Sequence, residues 1–455
     1  MSTFHHRMRL RHALLIVIIL VGVVAAIPSQ STRAQDGPVQ VYAAELSGEY
    51  AIQWMDLLYE SIKYEKIQAP QAARLYGYGG VTLYESVLPF NSGFVSLAGQ
   101  LNELSDPPWI EEGQIYDPLT VMATAASLMW PALFEKGTPE TMQAVADLYE
   151  TQLTARSAEF DAEVIDRSVA YGEAVAQHLI EWKDRDGYVE ATEMGVDYVL
   201  PTGDPALYTL TTEGTTPIGA YWGNVRPFVL EYADQCAIPM GYTYSEDPES
   251  AFYAQAVEVQ EIGNRLTDEQ KEIARFWVDT PAQTGTPAGH WVQIVAVLAD
   301  QFDWNLDRIV MTYGMVGISV ADAFISAWSL KYQVLLLRPE TYIKAHIQRS
   351  WAPYIQTPPF PEYPSGHSVV SGAAAEVLTQ MYGVVAFTSE TNREGEFIQR
   401  SFTSFKAAAY EAAISRIYGG IHFRAAVENG LEQGECVGKT IMDYIQMQPL
   451  SQGGE

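Results

Sequence analysis

Residues 309–330 read IVMTYGMVGISVADAFISAWSL, with Asp322 the one charge in 22 positions. A run of that length and character is sufficient to cross a bilayer. It also carries Thr312, Gly314, Gly317, Ser319 and Ser326, and no second comparable span accompanies it. A helix that is apolar on every face is what the centre of a large globular core requires. The run is therefore read as a buried central helix, and multi-span membrane insertion is not expected.

Outward from this run, apolar residues recur at helical spacing and alternating strand patterns are scarce. The spacing predicts helices over 45–62, 69–87, 119–134, 139–153, 158–182, 250–262, 268–277, 290–299, 305–337, 366–381, 394–414 and 422–447. The expected class is all-α, two packed helical bundles. Turn-rich stretches rich in Gly, Pro and Asp separate an N-terminal helical region, 35–219, from a C-terminal helical domain, 220–448, with a short tail at 449–455. Asp184, Asp186, Gly187 and Glu193 fall in EF-hand register, but Trp182 occupies the first ligand position, so no calcium site is read there.

The chain has 455 residues, of which 48% are apolar and 18% charged, and a net charge of −29. That charge argues against nucleic acid or anionic lipid as a partner. Any anion site must be a local cationic exception. The N-terminus has Arg7, Arg9 and Arg11, then an uncharged apolar run over 13–27, then the small-x-small triplet Thr32-Arg33-Ala34. This pattern predicts a signal peptide over 1–34 and an exported protein. Removing it takes away four arginines and no acid, which brings −29 to −33. Cys236 and Cys436 are the two cysteines. They make no metal motif; a disulfide and two buried thiols both stay open.

Three later segments carry chemistry. In 328–339, WSLKYQVLLLRP, Lys331 and Arg338 stand seven residues apart, hence on one face if the helix continues. Two cations on so apolar a stripe are costly unless an anion meets them. In 358–368, PPFPEYPSGHS, Pro364 stops one segment, and Ser365-Gly366 starts a helix with His367 in its first turn. A helix N-terminus offers free N–H groups to an anion, and Gly lets it approach the backbone. In 414–423, ISRIYGGIHF, Arg416 ends one helix, Gly419-Gly420 makes a turn, and His422 opens the next.

The order K-x6-RP, PSGH, SR-x5-H resembles the three-part signature of the superfamily of type 2 phosphatidic acid phosphatases and vanadium-dependent haloperoxidases, most closely its secreted haloperoxidase branch. YWGNVRPFVL at 221–230 and ARFWVDTPAQTGTPAGHW at 274–291 look like the same branch. The likeness covers about 220–445; the N-terminal half matches only as helical bulk. It implies a cage for a tetrahedral oxyanion, vanadate or phosphate. Lys331, Arg338 and Arg416 are the implied cations. Ser365 and the Gly366 N–H complete the hydrogen bonds. His422 is the implied vanadium ligand or phosphorus nucleophile, and His367 the acid–base group opposite. Trp328 and Phe360 match halide-side positions.

With vanadate, the implied reaction is oxidation of halide by hydrogen peroxide to hypohalous acid, Lys331 polarising the peroxide. With a phosphate ester, His422 would form a phosphohistidine and the protein would be a secreted acid phosphatase. A non-catalytic envelope binding protein with a decayed site is the third reading. Phosphatase members place an Asp four residues after the histidine, where this chain has Ala426. A ligating histidine needs its other nitrogen held; Glu428 and Asp322 are the candidates considered for His422.

Overall fold

A computed structural model describes residues 40–447 apart from Ser92 and residues 394–395. The expected signal peptide and C-terminal tail lie outside the described residues. The central helix forms because Asn305 caps it, its Oδ1 accepting from Arg308 N at 3.1 Å, and because nothing in the following 29 residues breaks it. It spans Leu306–Val334, and its most apolar window is 94% buried.

Around it the chain is helical. In order come α1 (Glu49–Tyr64), α2 (Ala69–Val87), α3 (Pro118–Phe134), α4 (Pro139–Ser157), α5 (Ala162–Lys183), α6 (Tyr188–Val196), α7 (Ala251–Asn264), α8 (Asp268–Phe276), α9 (Thr286–Phe302) and the central helix α10. Then follow α11 (Pro339–His346), α12 (Gly366–Tyr382), an antiparallel hairpin of β1 (Phe387–Arg393) and β2 (Glu396–Phe402), α13 (Phe405–Tyr418) and α14 (Arg424–Tyr444). The all-helical class is what the sequence predicts.

α2 and α10 pack closely, and glycine makes it possible. A Cβ on Gly80 would lie 2.3 Å from the Tyr313 carbonyl oxygen, and one on Gly317 would lie 2.5 Å from that of Tyr76. Backbone thus meets backbone, and the surrounding apolar side chains form one large core. A second cluster, including Phe252, Leu336, Tyr342, Trp351, Tyr363 and Phe423, lies at the C-terminal end of α10. Asp322, the lone charge of the opening stretch, accepts from the N–H groups of Phe228, Val229 and Leu230 at 2.6, 2.9 and 3.0 Å. It fastens the loop after α6 to α10. Burial pushes its carboxyl up to about 6, against those three N–H bonds.

Five expectations need correction or completion. The helix predicted over 305–337 ends at Val334, because Leu335 turns left-handed with φ 52° and ψ 35°. Pro339 then opens α11 instead of closing α10, so Lys331 and Arg338 do not share a helical face. The helix predicted over 394–414 begins only at Phe405, where Ser404 caps it; β2 occupies the preceding residues. Cys236 and Cys436 form a disulfide with Cα atoms 5.7 Å apart. Asp186, from the EF-hand-like stretch, is buried against Arg74 Nε at 2.5 Å and Tyr78 Oη at 2.8 Å.

Candidate active site

Where the two apolar clusters meet, three chain segments converge around Lys331. Its ammonium donates to the carbonyls of Pro361 at 2.9 Å and Glu362 at 3.1 Å, and also to that of Pro364. The proline-rich loop is thereby wrapped around the end of α10. The loop runs directly into α12, where Ser365 is the cap and its Oγ accepts from Ser368 N at 3.3 Å. Ser365 N donates to Ala426 O at 3.0 Å, which joins this helix start to α14. Gly366 occupies the first helical position, where backbone N–H groups have no partner within the helix.

Arg338 reaches the same place from the far side of the Leu335 turn. Its Nε donates to Phe360 O at 2.8 Å, and its Nη1 donates to Ile421 O at 2.8 Å. Nη1 also lies 3.1 Å from His422 Nε2. Its Nη2 is buried with no hydrogen-bond partner among the described residues. Arg416, at the end of α13, donates from Nε to Ser415 Oγ at 2.9 Å and from Nη2 to Trp277 O at 2.7 Å. Lys331, Arg338, Ser365, Arg416 and His422 are all buried, whereas His367 keeps part of its surface exposed.

The aromatic flank is also assembled. Trp328 and Phe360 have ring centroids 4.9 Å apart. The Phe360 ring lies 5.1 Å from Lys331 Nζ and 4.8 Å from the Arg338 guanidinium. Ile218 O accepts from Trp328 Nε1 at 3.0 Å and Tyr332 Oη at 2.7 Å, so the loop preceding Gly219 closes over this side.

Burial sets the titration directions. Burial, then Arg338, hold the Lys331 ammonium well below its ordinary range. Burial brings Arg338 down to about 10. Burial, followed by the charges of Arg338, Lys331, Arg416 and His367, holds His422 well below the usual imidazole range. Burial is the largest cause in each case, and neighbouring cations add to it for Lys331 and His422. A bound oxyanion acts in the opposite direction.

Neither candidate for holding His422 is placed to do so. Asp322 is occupied with the N–H groups of 228–230, and Glu428 is an exposed partner of Arg424 at 3.1 Å. Glu362 takes the position instead. Its Oε1 lies 3.0 Å from His422 Nδ1 and accepts from Phe423 N at 2.8 Å. Its carboxyl is fully buried and pushed up to about 7 by that burial, against Phe423 N–H, Arg338 and Lys331. The available signal was a carboxylate set between prolines, three residues before the Ser365 cap.

Three cations, one carboxylate, a helix N-terminus and a donor group left over on Arg338 fit a tetrahedral oxyanion. The residues present therefore suit vanadate and phosphate alike.

The family model described as the VCPO second helical-bundle domain matches residues 311–449. The chain is 34% identical to a bacterial vanadium-dependent iodoperoxidase of known crystal structure, with a TM-score of 0.81, over 91% of this chain and 99% of that one. A bacterial vanadium-dependent chloroperoxidase in its holo form matches with a TM-score of 0.64 at 15% identity, over 83% of this chain and 93% of that one. Its apo form gives the same TM-score and identity, over 83% and 95%. At that identity the likeness is one of fold. No curated protein sequence matches the chain.

Proposed function

This chain belongs to the vanadium-dependent haloperoxidase family, and from that premise we propose that it oxidises halide with hydrogen peroxide to hypohalous acid, using vanadate held by Arg338, Ser365, Gly366, Arg416 and His422, with Lys331 contributing charge while its donors hold the 361–364 loop. The observation that carries this reading is the buried Arg338 Nη2, which has no hydrogen-bond partner among the described residues, on a guanidinium whose Nη1 lies 3.1 Å from His422 Nε2, in a site with three cations and one carboxylate. Bound there, vanadate supplies the electrophilic centre that activates peroxide toward halide.

The protein's own groups do the rest. Arg338 and Arg416 offset anionic charge out of contact with bulk water, where electrostatics are strongest. Lys331 holds the 361–364 loop and places its charge 5.1 Å from the Phe360 ring and 5.5 Å from that of Trp328. His422, kept neutral by burial and then by its cationic neighbours, offers a lone pair for ligation. His367, partly exposed, is the group assigned to acid–base chemistry on the opposite side. Trp328 and Phe360 exclude water on the halide side. Iodide is the halide we expect to be turned over first, given the identity to the iodoperoxidase. Export by residues 1–34 belongs to the same proposal, and the Cys236–Cys436 disulfide supports an oxidising compartment.

The test is to load the purified protein with orthovanadate, then measure peroxide-dependent iodination and bromination alongside hydrolysis of a phosphate monoester. Halogenation that requires vanadate is the expected result, and it should vanish in His422→Ala together with vanadate retention. Ester hydrolysis inhibited by vanadate would make the protein a phosphatase instead. Neither activity, with poor vanadate binding, would indicate a binding protein.

A further inference from the structure

The hydrogen bonds around His422 determine which of its nitrogens carries the proton. A guanidinium has donors and no acceptor. Arg338 Nη1, 3.1 Å from His422 Nε2, therefore meets that nitrogen as a lone pair. An imidazolium would set N–H against N–H there. The neutral ring must then carry its hydrogen on Nδ1, where Glu362 Oε1 accepts it at 3.0 Å.

Glu362 could be a simple staple for Phe423 N, which Oε1 also accepts at 2.8 Å. Its burial argues against that limited role. The residue is 0% exposed and its Oε2 has no hydrogen-bond partner among the described residues. A neutral side chain would satisfy one N–H with less desolvation cost than a buried carboxylate. The backbone of Glu362 has separate duties: its N–H donates to Leu336 O at 3.0 Å and its carbonyl accepts from Lys331. Truncating the side chain therefore leaves the loop's attachments to α10 and to the Leu335 turn in place.

We infer that Glu362 is the positioning residue for His422: by taking the Nδ1 hydrogen it fixes the ring's tautomer and orientation, so that the Nε2 lone pair faces the oxyanion cage. This rests on the functional reading above only for what the lone pair meets; the tautomer assignment stands on the protein alone. Outer carboxylates of this kind are worth about 10–100-fold in the affinity of the group that the histidine holds.

The experiment uses the full chain labelled with 15N-histidine and free of oxyanions. The His422 ring signals are identified by their loss in His422→Gln. The wild type should show the Nδ1–H tautomer, and Glu362→Ala should shift His422 toward the Nε2–H form. Orthovanadate binding, by equilibrium dialysis, should weaken about 10–100-fold in Glu362→Ala. Glu362→Gln, which keeps an acceptor oxygen for both donors, should retain the tautomer and lose less affinity than the alanine variant. A merely structural role would lower stability without reordering the tautomers. An Nε2–H ring in the wild type overturns the inference, and that measurement needs no variant to fold. So does an unchanged tautomer in Glu362→Ala with orthovanadate affinity within about threefold of wild type, a change smaller than outer-shell losses. If the tautomers behave as expected but the wild type binds no orthovanadate, the functional reading fails and the positioning of His422 by Glu362 holds.

Discussion

The six-membered ring of Trp328 lies against Gly366, so that a Cβ at Gly366 would fall 3.0 Å from Trp328 Cζ3 and 3.4 Å from Cη2. Trp328 has little freedom to yield. Its Nε1 is bonded to Ile218 O, and its ring is held between Phe324 and Phe360. Gly366→Ala should therefore displace the start of α12 or the tryptophan, both of which border the cage. The expected outcome is a loss of about 1–3 kcal/mol of stability by denaturant titration, the usual cost of overpacking. Orthovanadate affinity should fall at least about tenfold, since a 1.4 kcal/mol misplacement of donors is enough for that. An alanine variant that binds orthovanadate like the wild type would show that the cage does not depend on this contact.

Lys331 is expected to matter before any ligand arrives. All three hydrogens of its ammonium are directed at the carbonyls of Pro361, Glu362 and Pro364. Lys331→Met keeps the chain length and removes the donors, leaving carbonyls without partners in a buried loop. Each unsatisfied buried group costs about 1–3 kcal/mol. The oxyanion-free variant should thus be destabilised by several kcal/mol, and the 361–364 amides should exchange hydrogen faster. If its stability matched the wild type, the ammonium would be acting on the ligand alone.

The site was more legible in sequence than its support. Lys331, Arg338, Ser365, Gly366, His367, Arg416 and His422 could be singled out because charges in apolar runs and glycines at helix starts carry a local cost that needs a reason. Glu362 could not be matched to His422, since their bond spans 60 positions and no periodicity reports such a distance. The turn at Leu335 was hidden because leucine rarely adopts positive φ, and VLLLRP reads as continuing helix. The β1–β2 hairpin was missed for a related reason. Its pairing of Phe387 with Phe402 is non-local, while the Glu, Gln and Arg residues of β2 suit a helix equally well.

Glu85 provides a pH-dependent test of the N-terminal half. It is 1% exposed on α2, with Oε1 accepting from Leu97 N at 2.6 Å and Ser96 hydroxyl nearby at 3.1 Å from Oε2. Burial pushes its carboxyl up to about 7, against those hydrogen bonds. Because the folded value exceeds the unfolded one, the folded state holds the proton more tightly. The contribution to stability is therefore greatest below about pH 4.3 and is lost as pH rises to about 7. Glu85→Gln keeps an acceptor for Leu97 and removes the ionisation. The difference in unfolding free energy between variant and wild type should move in the variant's favour across that window, reaching about 1–3 kcal/mol above pH 7. A difference that stays flat with pH would place the carboxyl in its ordinary range.

The disulfide and Asp322 secure neighbouring parts of one loop, and their removal should be distinguishable. Asp322 holds 228–230 against α10, while Cys236 joins the following turn to Cys436 on α14. The bridge closes a 200-residue separation, which favours a large chain-entropy term. Reduction, or Cys236→Ser with Cys436→Ser, should cost about 2–5 kcal/mol, chiefly by freeing the unfolded chain. The loop should stay docked, because the Asp322 bonds remain. Asp322→Asn acts on the folded state instead. Its amide group would face at least one of three backbone N–H donors, at a cost of about 1–3 kcal/mol. Limited proteolysis at 228–236 separates the two effects: faster cleavage is expected in Asp322→Asn and little change in the serine pair. Rapid cleavage in the serine pair would mean that the disulfide, and not the carboxylate, holds this loop on α10.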